Sequence, residues 1–167
     1  MARAYQFTGD DVRMSPADNL GLRRVATALA IIRDYDARRY DRVQAYIRVI
    51  FLKDVYVAAY YHVDSMTCVL DLCPFKFDLS AYYYTAALAS TLVHEATHGL
   101  IASKGIAYNR KSRMRIERIC SAEERRFVSR IDPAIADWLL GEFDGSRWHP
   151  YYNPISNAWI AWKRKNQ

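Results

Sequence analysis

The segment TLVHEATHGLI, residues 91–101, sets His94 and His98 four positions apart, with Glu95 directly after the first. On a helix, residues four apart share one face, one turn above the other. Both imidazoles can then offer a ring nitrogen to a single ion about 2.0–2.1 Å away, and one Zn2+ is the expected occupant. Glu95 lies about 100° around the helix from His94, where a carboxylate can take a proton from an activated water without binding the ion itself. The competing account makes both histidines solvated or core residues and Glu95 a surface charge, and metal content separates the two.

Catalytic zinc sites use three protein ligands and leave a fourth position for water, so a third donor is needed. The candidates are His62, His149 and the acids Glu117, Glu123 and Glu124 of RIERICSAEERRF. Glu117 follows His98 by 19 positions, room enough for a loop and a second helix that folds back antiparallel to the first. Its carboxylate oxygen suits zinc. Glu124, two turns beyond on roughly the same face, can orient a ligand histidine. Glu123 or Glu124 would otherwise be an ordinary solvated acid beside Arg125 and Arg126.

HEATH followed at this distance by a glutamate-bearing helix resembles the gluzincin branch of the zincin metallopeptidases. The string HEATHG…GIAY…RIERIC…EERRF is similar to a set of small, poorly characterised bacterial proteins grouped with them. The resemblance spans about residues 85–131. It implies a minimal zincin-like fold and a zinc-dependent hydrolase that cuts peptide bonds in a protein or peptide substrate. His94, His98 and Glu117 would be the ligands and Glu95 the general base. Many gluzincins carry an Asp four residues after the ligand glutamate to hold the first histidine. Here that position is Ser121, which leaves Ser121 and Glu124 as candidates for the role. No motif marks the residue that would stabilise the oxyanion; His149, Tyr108, Tyr151 and Tyr152 are candidates.

These groups need elements to hold them. At 167 residues the chain suits one domain over 1–167, and 51% hydrophobic residues with sparse Gly and Pro describe a packed protein. Residues 1–15 read as an irregular arm. SPAD starts a helix, Ser15 capping and Pro16 first, that runs to Tyr35 on the stripe Leu22, Val25, Leu29, Ile32; a shorter helix covers Ala37–Tyr46. The period then shifts to two, and 47–51, 55–63 and 67–72 read as a three-stranded antiparallel meander, with helix the alternative for 47–51. A long helix is expected from Ala81 to Lys104, capped by Asp78 or Ser80, buried along Leu88, Leu92, Ala96 and Leu100, and stopped by Gly105. Another follows over RMRIERICSAEERRFVSRI with Ile116, Ile119 and Phe127 inward, and a last one starts at Asp132–Pro133. Residues 144–167 read as an irregular aromatic and basic segment with a short helix near Trp159. The class expected is α+β, with most tyrosines in the core and an edge strand free to receive a peptide.

A net charge of +6 favours acidic partners, but the Lys and Arg are interspersed with acids. Only 109–118 and 162–167 look like basic patches. A nucleic-acid-binding module built on Arg110, Lys111, Arg113 and Arg115 is therefore a rival reading, with nucleic acid not the expected partner. A zinc-holding interaction or regulatory domain without catalysis is another. No apolar run reaches the ~18 residues of a membrane span. With no apolar leader at the N-terminus, a cytoplasmic location is expected. Cys68, Cys73 and Cys120 read as scattered reduced thiols, not a disulfide framework.

Overall fold

The computed structural model describes residues 16–52, 59–70 and 81–140. Within them the order is α1 (Pro16–Tyr35), α2 (Ala37–Tyr46), β1 (Val49–Leu52), β2 (Ala59–His62), β3 (Thr67–Leu70), α3 (Ala81–Ser103), α4 (Arg113–Ile131) and α5 (Pro133–Leu140). The expected α+β class holds, and each expected helix start recurs at Pro16, Ala37, Ala81, Arg113 and Pro133. The caps expected at Ser15, Asp78 and Ser80, the arm and the C-terminal segment lie outside the described residues. Asp132 does cap α5, its Oδ1 accepting from the Ala134 amide at 2.8 Å.

The antiparallel meander is corrected. The strand order is β1-β3-β2, with β3 antiparallel to β2 but parallel to β1. The side-chain pattern gives the reason. Cys68, Val69 and Leu70 of β3 are all buried, as suits a strand covered on both faces, whereas β2 alternates half-buried and exposed residues. The apolar strand therefore takes the centre and β2 an outer position. Ile47 is not in a strand; its extended backbone ends α2, its amide bonded to Val43 O.

Helix α3 runs through the middle. Residues 84–90 are buried without a break, so this helix is apolar nearly all round and packs against α1, α2, α4 and the sheet. Leu88, Leu92 and Ala96 are fully buried as expected; Leu100 is only half-buried. Gly99 permits a close crossing: a Cβ there would lie 2.7 Å from both Tyr46 Cβ and Tyr61 Oη. Tyr61 Oη in turn donates to Tyr46 O at 2.5 Å, tying β2 to the end of α2. Gly105, with φ +74°, supplies the left-handed residue just beyond the helix.

On α4 the inward residues are Ile116, Glu117, Cys120, Phe127 and Val128. Ile119, expected inward, is 40% exposed, because the face turned to α3 is centred on the 117–120–124–127 row and position 119 lies away from it. The tyrosines are corrected as well. Among those described in 60–61 and 82–84 only Tyr84 is core, under the Arg24 guanidinium 4.2 Å above its ring; Tyr60, Tyr82 and Tyr83 are exposed and Tyr61 half-buried.

Candidate metal centre

The packing of α3 on α4 brings two rows together. From α3 come His94, Glu95 and His98; from α4 come Glu117, Cys120 and Glu124, spaced three and four apart and so stacked on one face. His94 is held from both sides, with Nε2 3.2 Å from Glu117 Oε2 and Nδ1 3.1 Å from Glu124 Oε2. Glu117 Oε1 lies 3.6 Å from His98 Nε2. Two ligands of one tetrahedral zinc at ~2.0–2.1 Å each stand ~3.4 Å apart, so these separations suit donors around one cation. Ser90 Oγ donates to Glu124 Oε1 at 2.9 Å and steadies it.

Tyr108 completes this side. The loop that carries it is braced by Asn109 Oδ1, which accepts from the amides of Lys111 (2.9 Å) and Ser112 (3.1 Å), and by Ser112 Oγ donating to Ala107 O at 2.6 Å. Tyr108 Oη donates to Glu117 Oε1 at 2.6 Å, and its ring stands edge-on to His98 with centroids 5.5 Å apart.

Electrostatics follow from burial and crowding. Burial opposes charge on His94, but the bonds to Glu117 and Glu124 outweigh it and raise its pKa well above the ordinary value. Burial, with charged His94 beside it, pushes His98 down to about 4. Burial raises Glu95 to about 7, the pull of His94 notwithstanding, with Glu117 and Glu124 adding to the rise. Burial likewise opposes the Glu117 carboxylate, yet bonds from His94 and Tyr108 and the nearness of His98 hold its pKa below the usual range. Glu95 is 5% exposed, and among the described residues its carboxylate makes no hydrogen bond.

His94, Glu95, His98, Tyr108, Glu117 and Glu124 line one open cavity of about 950 Å³, together with Ala59, Tyr60 and Tyr61 of β2. Arg113, read as part of a basic patch, lines it too and acts on Tyr108.

His94, Glu95, His98, Glu117, Glu124 and Tyr108 are therefore brought together as expected. Others are not. The acid that reaches His94 Nδ1 is Glu124, one turn beyond Ser121. Glu123 points the other way, to Arg42 at 2.9 Å, Arg39 at 3.1 Å and Arg126 at 2.6 Å, and is no ligand candidate. His62 is exposed on β2 against Tyr60. His149, Tyr151 and Tyr152 lie outside the described residues.

One residue escaped the sequence reading. His94, His98 and Cys120 offer ligand atoms that all lie within 4.8 Å of one another, a group that could hold a metal ion. The signal was available, since Cys120 follows Glu117 by one helical turn. Cys68 and Cys120 are both free and buried, as expected of reduced thiols. Among the described residues no helix is long and apolar enough to cross a membrane. No protein-family model, curated protein or solved structure matches the chain.

Proposed function

We propose that the chain is a zinc-dependent metallopeptidase. The observation that carries this reading is convergence: Glu117 brings one carboxylate oxygen to 3.2 Å from His94 Nε2 and the other to 3.6 Å from His98 Nε2, at an open cavity that buried Glu95 also lines. Such separations suit donors that share one cation. His94, His98 and Glu117 would hold it. A bound Zn2+ supplies Lewis acidity toward a carbonyl oxygen.

The rest falls to the chain. Glu95, buried, without a hydrogen bond among the described residues and with its pKa near 7, is suited to accept a proton from a water in the cavity and return it to the leaving amine. Glu124, braced by Ser90, fixes the His94 ring. The outer side of β2, lining the cavity, can pair with an extended peptide backbone. Of the oxyanion candidates, Tyr108 is the one among the described residues, its hydroxyl beside His98 and Glu117.

Zinc-loaded protein is expected to cut members of a mixed peptide library, read by mass spectrometry, and Glu95→Gln to keep stoichiometric zinc while losing cleavage. A zinc-loaded chain that leaves every peptide intact sinks the enzyme. It would favour instead a metal-holding interaction domain, a reading to which Cys120 lends support as an extra donor that would close the coordination sphere.

A further inference from the structure

The two described cysteines are equally buried but differently placed. Cys68 belongs to the main core, among Leu70, Leu88 and Leu92. Cys120 packs in a separate small cluster with Ile101 and Ile116, both of which line the cavity. It therefore lies directly beneath the cavity floor, and its sulfur is grouped with a ring nitrogen from each of His94 and His98 inside 4.8 Å. Zinc ligands at ~2.0–2.3 Å in a tetrahedron stand roughly 3.4–3.6 Å apart, so the three need to close by ~1 Å to share one ion. Glu117, the other donor on this face, meets His94 Nε2 at 3.2 Å and accepts from the Tyr108 hydroxyl.

We propose that Cys120 is a ligand of the ion, alongside His94 and His98, and that Glu117 is the exchangeable fourth donor. This rests on the metal site put forward above and adds its regulation. With Glu117 on the ion, four protein donors close the sphere in the manner of a structural site; with Glu117 withdrawn, one position is free for water or substrate. On binding, the thiol proton passes to solvent and sulfur donates its electron pair to the cation. A thiolate donor also selects zinc, cobalt or iron over magnesium and manganese.

The test is cobalt substitution in the full chain, read by the thiolate-to-cobalt charge-transfer band in the near ultraviolet. Wild type and the double variant Cys68→Ser/Cys73→Ser, in which Cys120 is the single remaining thiol, are expected to show the band at one cobalt per chain. Cys120→Ser is expected to lose it, keep the visible cobalt bands and bind roughly tenfold more weakly or worse. Cobalt bound without the band in the wild type or the double variant overturns the proposal, as does a band that survives Cys120→Ser. Should Cys120→Ser fail to fold, the double variant decides. Cobalt without the band leaves the peptidase reading standing, a band without peptide cleavage removes the peptidase and leaves the thiolate ligand, and no cobalt binding removes both.

Discussion

Glu123 and Glu124 are chain neighbours on α4, and they enter opposite kinds of charge cluster. Glu123 joins Asp36, Arg39, Arg42, Arg126 and Arg130, where every carboxylate meets at least one guanidinium and Arg42 reaches on to Thr97 Oγ1 at 3.0 Å. Glu124 joins Glu95, Glu117 and two histidines at an open cavity. The first cluster sets two carboxylates among four guanidinia and is buttressed from α2 and α4, and Asp36 and Arg39 are buried outright. The second gathers carboxylates and imidazoles, with Glu95 making no hydrogen bond among the described residues. Donor chemistry separates the two: guanidinia only donate and tie helices together, whereas imidazoles and carboxylates can also ligate a cation.

That contrast can be broken in order of expected effect. Glu95→Gln should lower peptide turnover by roughly 10²–10⁴-fold with zinc content unchanged, checked by kinetics beside elemental analysis. In the other cluster, Asp36→Asn leaves buried Arg39 with Glu123 as its remaining carboxylate and is expected to cost about 1.5–3 kcal/mol in denaturant unfolding while sparing zinc stoichiometry. Equal loss of zinc in both variants would erase the distinction between the clusters. Glu124→Gln should weaken zinc by ~10–100-fold, because the imidazole it orients keeps its place but loses its charged partner.

The pH response should also divide them. Glu123 is partly buried, but bonds from Arg42 and Arg126 and the charges of Arg39 and Arg42 bring its pKa down to about 2. A depressed carboxylate contributes stability that is complete above its unfolded value near 4.3 and is lost as pH falls toward about 2. Acid unfolding of the metal-free chain should accordingly shift to higher pH in Arg42→Ala, followed by circular dichroism. The smallest effect belongs to the crossing that sets the cavity wall. Gly99→Ala forces a methyl against Tyr46 and Tyr61 and should cost ~1–3 kcal/mol, with a rise in peptide KM as β2 moves.

Much of the helical framework was legible because helices α1 to α5 carry local signals: Pro16 and Pro133 at first positions, Gly105 after α3, and apolar residues at helical spacing. The sheet was less so. Alternation marks a strand but not its neighbour, and β3 took the centre because its burial on both faces outweighed the simplicity of a meander. For Ile119 the helical period was right and the phase wrong, since phase is set by which face α3 covers.

At the site, local spacing alone determined that His94 and His98 share a face with Glu95 beside it, because 3.6 residues per turn requires it of any helix. The same periodicity stacked Glu117, Cys120 and Glu124. Which of the two adjacent glutamates turned to the histidines, and that Cys120 came within reach of both rings, depended on the rotation of α4 against α3. Packing of side chains distant in sequence fixes that rotation, and no spacing within one helix encodes it.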